Sequence, residues 1–266
     1  MATFNSTVSG ASTGDTLIGT GSDQLILGSS SADSITVSSA YSSVSIAAGD
    51  GADTIRAIGK SSTTKGGSGA DSIYLTSAVT DSNISTQQEA DTVQIFATAS
   101  GSKIWLGSGA DSLRLAAQAS NVTVSAGTGA DTLTFALDQT SVSVVGEDGD
   151  DVIDFAGDLI GSTVSGGSGA DSLYLDNGGS SVFVDAGASD DTDTIHLAST
   201  GTSVTITAGS GNDSILLSGG IKGSGSVVAG AGEDTIQATG TIASALLSGD
   251  DGDDLITLSG TANTST

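Results

Sequence analysis

The chain of 266 residues has no cysteine and no proline. Without cysteine there is no disulfide framework, no thiolate metal site and no cysteine nucleophile. Bases are nearly as scarce. Six of them (Arg56, Lys60, Lys65, Lys103, Arg114, Lys222) stand singly against thirty-one acids, for a formal net charge of −25. That balance excludes an electrostatic nucleic-acid binder and argues against anchoring on anionic lipid. No apolar run approaches the ~20 residues of a membrane helix, so membrane insertion is not expected. Aromatics make up only 3%. Low aromatic content and high acidity can mark disorder, but the mean hydropathy is +0.15 and the apolar residues fall in a regular order.

That order is a repeat. An aspartate, then usually Ser or Thr, then an aliphatic residue, any residue and another apolar one, recurs from DSITV at Asp33 to DLITL at Asp254. Its aspartates are Asp33, Asp53, Asp71, Asp91, Asp111, Asp131, Asp151, Asp171, Asp193, Asp213, Asp234 and Asp254. They lie 18 to 22 residues apart, most often 20. After each aspartate the apolar residues alternate, as in Leu113 and Leu115 or Leu173 and Leu175. A second alternating segment precedes the next aspartate, as in Val122 and Val124 or Val204 and Ile206. Period two with one apolar face describes a strand with one side buried. Glycine interrupts every window that could form a helix.

Strands of four or five residues cannot bury an apolar face alone, but they can when stacked at the ~4.8 Å strand spacing. An antiparallel sandwich would not need the same inward residue every twenty positions. The expected fold is therefore all-β: a right-handed parallel β-roll or β-solenoid, about 20 residues per turn with two short strands each. It should form a single domain over residues 1–266, with no cap or linker visible in the sequence.

The turn before each aspartate carries the chemistry. It reads G-x-G-x-D, with glycines at Gly49 and Gly51, Gly67 and Gly69, Gly107 and Gly109, Gly127 and Gly129, Gly167 and Gly169, Gly209 and Gly211, and Gly230 and Gly232. Near the N-terminus GTGSD ends on Asp23. The full nonapeptides GGSGADSIY at 66–74 and GGSGADSLY at 166–174 resemble the GGxGxDxUx repeat of the calcium-binding RTX family. The resemblance covers nearly the whole chain. It implies several Ca²⁺ ions, each shared by aspartates and loop carbonyls of neighbouring turns. The implied ligands are Asp23, Asp33, Asp53, Asp71, Asp111, Asp131, Asp151, Asp171, Asp193, Asp213, Asp234 and Asp254, with the fourteen glycines above.

Elementary electrostatics points the same way. Bare carboxylates ~4.8 Å apart repel by roughly 1 kcal/mol in water and by more at a protein surface. A hard cation seeking six to eight oxygens would relieve a whole column of them. Gly-Asp turns also serve metal-free loops, but Asn and Ser would then be expected to mix freely with Asp.

The repeat departs from the family in places. RTX rolls carry the motif at both edges of the coil. Here only Asp15, Asp23 and Asp33 are so spaced, so one calcium column is expected rather than two. STQQEAD at 85–91 has no glycine, so a poor site is expected at Asp91. The turn before Asp193 has two extra residues. GEDGDD at 146–151 and GDDGDD at 249–254 exchange a glycine for acids.

No enzyme is expected. The acids are dispersed along one column instead of clustered with a base, and His196, the sole histidine, has no evident catalytic partner. Ice binding on a flat lattice is disfavoured by the mixture at outward positions, which include Ile18, Tyr74, Arg114, Asp154, Tyr174 and Leu216. The expected role is a secreted, calcium-stabilised structural solenoid at the cell surface or outside the cell. Strand-like residues at both termini suggest that its partner is a second copy, stacked head to tail as a filament or surface layer. The alternative is a calcium-triggered folding and export module of a larger exoprotein. A cell-surface polysaccharide partner stays unassigned.

Overall fold

Twenty-residue units with one apolar side bury that side by stacking, and the computed structural model shows the result. It describes residues 6–11, 14–38, 41–57 and 60–263. The chain is an all-β parallel solenoid of about 13 turns, each of roughly 20 residues. No helix among the described residues is long and apolar enough to cross a membrane. Contacts divide it into two compact units, Met1–Thr128 and Gly129–Thr266.

In the first unit the six-residue strand Asn83–Gln88 pairs in parallel with Thr63–Ser68 on one side and Lys103–Ser108 on the other. After its turn, the four-residue strand Thr92–Ile95 pairs with Ser72–Leu75 and Ser112–Leu115. In the second unit Ser143–Asp148 pairs with Thr163–Ser168, and Val152–Phe155 with Ser172–Leu175.

From Val79 onward each turn also holds a third strand that the sequence did not disclose, ten in all among the described residues. Ala99–Ser100 pairs with Val79–Thr80 and Ala119–Ser120 in the first unit, and Leu159–Ile160 with Gln139–Thr140 and Gly179–Ser180 in the second. Two strands per turn therefore becomes three. The reason is length. A two-residue strand offers a single inward side chain, such as Ala99 or Leu159, and one position cannot show a period of two.

The inward residues form columns. Ile84, Ile104 and Val124 are stacked in one unit, Val144, Val164 and Val184 in the other, all essentially inaccessible. Phe135 and Phe155 stack at 4.4 Å between centroids, with ring planes 12° apart, both fully buried in the first turns of the second unit. Phe155→Ala is expected to cost about 3–5 kcal/mol, as fully buried aromatics do. Denaturant midpoints of the folded protein would check this. A loss under 1 kcal/mol would mean that the column collapses around the gap.

The turns follow from backbone geometry. Gly167 has φ +126°, and a Cβ there would lie 1.9 Å from the carbonyl oxygen of Glu147 one turn back. Only glycine fits where two backbones approach so closely.

Candidate metal centre

The six-residue strand, the glycine turn and the four-residue strand together aim each repeat aspartate inward. Asp33, Asp53, Asp71, Asp91 and Asp111 in the first unit are 1–3% exposed, as are Asp131, Asp151, Asp171, Asp193, Asp213 and Asp234 in the second. Within each unit, Oδ1 of a column carboxylate accepts the backbone N–H of the aspartate one turn earlier. Asp71 N donates to Asp91 Oδ1 at 2.7 Å and Asp91 N to Asp111 Oδ1 at 2.7 Å. In the second unit Asp151 N donates to Asp171 Oδ1, Asp171 N to Asp193 Oδ1 and Asp193 N to Asp213 Oδ1, each at 2.8 Å. The carboxylates thus clamp successive turns in register.

The second oxygen is the problem. Oδ2 of Asp53, Asp71, Asp151, Asp171, Asp193, Asp213 and Asp234 is buried without a hydrogen-bond partner, while the Asp91 carboxylate has the Thr86 side chain beside it. At glycine-flanked rungs it faces another acceptor. A Cβ on Gly146 would lie 2.1 Å from Asp151 Oδ2 and 2.3 Å from the carbonyl oxygen of Gly166 in the next turn. A Cβ on Gly166 would lie 2.2 Å from Asp171 Oδ2 and 2.4 Å from Ala186 O. Two acceptors turned on one point, away from water, call for a proton or a cation.

Burial accordingly drives the carboxyls upward. Desolvation is the largest cause at every shifted rung, partly opposed by the backbone hydrogen bond and reinforced by neighbouring acids. Asp53, Asp91, Asp151, Asp193 and Asp213 are raised to about 6, and Asp71 and Asp171 to about 7. Asp111 and Asp234 move in the same direction.

The donor set fits a hard cation: carboxylate and carbonyl oxygens, without sulfur or imidazole. Among the described residues no three Asp, Glu, His or Cys side chains converge on one point. An ion would therefore take carboxylates from adjacent rungs and complete its shell from backbone carbonyls.

The fold has a counterpart of known structure. It is similar to a solved chain described as a hyperactive, Ca2+-dependent, beta-helical antifreeze protein from an Antarctic bacterium. The TM-score is 0.62 at 19% identity, over 95% of this chain and 83% of that one. At that identity the likeness establishes the β-solenoid fold. No family model and no curated protein matches the sequence.

The structure orders the sequence-derived candidates. The aspartates from Asp33 to Asp234 stand in the columns of their units. Asp254 is half-buried on the last rung, and its Oδ1 accepts Asp234 N at 3.1 Å. The fourteen candidate glycines all have positive φ.

Asp23 does not join them. It is exposed, with φ +54°, on the edge that leads into the strand Gln24–Leu27. The column at that level is continued by Asp15, whose N–H donates to Asp33 Oδ1 at 2.5 Å. Asp33 also differs from the later rungs, because its Oδ2 already accepts Ser29 N at 2.6 Å.

Asp91, which the glycine count devalued, is placed like its neighbours. Gln87 at φ +88° and Glu89 at φ +70° take the conformation that glycines hold elsewhere. Glu147 at φ +81° and Asp250 at φ +70° do the same in the two acid-rich turns. Asp91's position in the twenty-residue period was the better guide.

Proposed function

We propose that this chain is a calcium-stabilised structural β-solenoid that works outside the cell or at its surface and stacks end to end. The observation that carries the reading is the column of buried Oδ2 atoms without partners, which a divalent cation between rungs would satisfy. The Asp53–Asp234 rungs and the turn carbonyls would hold the ions. Ca²⁺ when bound neutralises the column, and the protein's own carboxylate–amide hydrogen bonds keep the register. The Ca2+-dependence of the structural neighbour supports this assignment. Affinity on the order of 10⁻⁴–10⁻³ M per site suits an extracellular module. Such affinity leaves the column empty in the cytosol and filled outside. Isothermal calorimetry should record several bound Ca²⁺ per chain. No heat at millimolar calcium would remove the metal from the reading.

Stacking is supported by the last described turn. Ile256 and Leu258 are 40% and 49% exposed, whereas their partners one turn earlier, Ile236 and Ala238, are fully buried. A second copy laid on that rung would repeat the stacking within each unit, and a heterologous contact of this kind does not close. Sedimentation velocity with calcium should show growth well beyond the monomer. Ile256→Lys, at an exposed position, should cap it while leaving the spectrum unchanged. A protein that remains monomeric at millimolar calcium would favour a calcium-triggered folding module instead.

A further inference from the structure

The geometry points to a binding groove for a linear, hydroxyl-rich glycan on the outer face of the first unit. The groove is open, about 680 Å³ in volume, and crosses five successive turns parallel to the stacking direction. Gly49, Gly67 and Gly107 line it in register and offer no side chains, so an approaching chain can reach the backbone level. One bank is the row Asp50, Ser68, Gln88, Ser108, Thr128. The opposite bank includes Lys65, whose row continues through Ser85 to Trp105.

Each feature suits a sugar polymer. Hydroxyl and amide groups donate and accept at once, as sugar hydroxyls do. Lys65 and Asp50 balance in charge, which favours a neutral polymer over an acidic one. Beyond the groove's lining, along the Lys65 row, Trp105 keeps more than a third of its surface exposed, with Lys103 Nζ 5.9 Å from the ring centroid, and is available to an end of a bound chain. The banks repeat at the strand spacing of about 4.8 Å, close to the length of one residue in an extended β-linked chain. A binding surface of this kind presents the same contact to sugar after sugar.

The turn at 85–91 sets the specificity. It breaks the glycine rank at mid-groove with Gln87, a side chain held at φ +88° where its neighbours are Gly67 and Gly107. Gln87 and Gln88 both line the middle of the groove and are exposed, so two amides are available there. The turn-to-turn pattern of the repeat would place Gly-Ser there. The replacement adds hydrogen-bonding groups without any gain in backbone comfort.

Trp105 is the sole tryptophan and shares the Lys65 row two strands on, so its emission serves as a nearby reporter beside calorimetry. Cellohexaose, whose β-1,4-linked chain is extended, should be titrated into the full chain under conditions where it shows β circular dichroism. It is expected to bind saturably by calorimetry or Trp emission, and maltohexaose, whose α-linked chain coils, to bind at least tenfold more weakly. The double variant Gln87→Gly/Gln88→Ser restores the repeat and should fold as well as the parent, yet lose at least tenfold in affinity. The inference is overturned if cellohexaose gives no saturable change by either fluorescence or calorimetry. It is equally overturned if maltohexaose binds as tightly, or if the double variant binds as the parent does. None of these readouts depends on the ion count or on assembly.

Discussion

In excess chelator at pH 7.5 the protein is expected to lose its β-sheet circular dichroism, and to regain it on return of calcium or on acidification to pH 4.5. The cause is proton linkage. Burial raises seven column aspartates from the ordinary value of 3.8 to about 6 or 7. A raised carboxyl binds its proton more tightly folded than unfolded, so the unfolded chain releases protons first as pH rises. Metal-free stability is thus highest below about pH 4. It falls through the window from 4 to 7 and stays low above it. A rise from 3.8 to about 6 corresponds to roughly 3 kcal/mol for each ionised rung. A few such rungs exceed the 5–15 kcal/mol that holds most domains together. Calcium reverses the sign at neutral pH, because it favours the ionised column. Its midpoint concentration should rise as pH falls below about 6. Melting curves from pH 4 to 8, with chelator and with millimolar calcium, test both limbs. Equal melting temperatures at pH 7.5 in the two buffers would end the argument.

The second large effect separates the two oxygens of a rung. In Asp151→Asn/Asp171→Asn the asparagine oxygens can still accept the N–H groups of Asp131 and Asp151, which donate at 2.8 Å in the parent. The new amide nitrogens would lie on the side of the carbonyl oxygens of Gly166 and Ala186, which crowd the same space as the native Oδ2 atoms. Two ionisation penalties disappear. The variant should therefore be more stable than the parent in chelator at pH 7.5, by about 3 kcal/mol per site, with a flatter pH profile. In calcium it should gain less than the parent does. Alanine at the same two positions should behave oppositely, since it leaves buried amides without acceptors and weakens the fold with or without metal. Denaturant midpoints in both buffers distinguish the cases. An asparagine pair less stable than the parent in chelator would show that the carboxylates are needed for more than register.

Much of this could be read from the residues in order. A period of twenty, an aspartate at a fixed phase and two alternating segments define the stacking and the column, because they are side-chain patterns that recur. What recurs only in the backbone was hidden. The third strand has one inward residue per turn and leaves no alternation. Asp23 sits in a good G-x-G-x-D match but at a phase eight residues from Asp15, and phase decides which side chains point inward. Asp91 lacked the glycines and kept the phase, so it holds its place on the column. Glycine marks where left-handed backbone is easy. It does not mark everywhere such backbone occurs, as Gln87, Glu89, Glu147 and Asp250 show.

The aspartate clamps measure position and not residue number. Asp53 N reaches Asp71 Oδ1 across 18 residues, Asp213 N reaches Asp234 Oδ1 across 21, and Asp171 N reaches Asp193 Oδ1 across 22, all at 2.8 Å. Each rung thereby resets the alignment, and an insertion or deletion in one loop is not passed on to the next. A ladder built this way corrects its own length errors. The surplus around residues 188–192 shows where chain can be added freely, so a peptide spliced there would be carried outward on a fixed rung, with the strands on either side undisturbed.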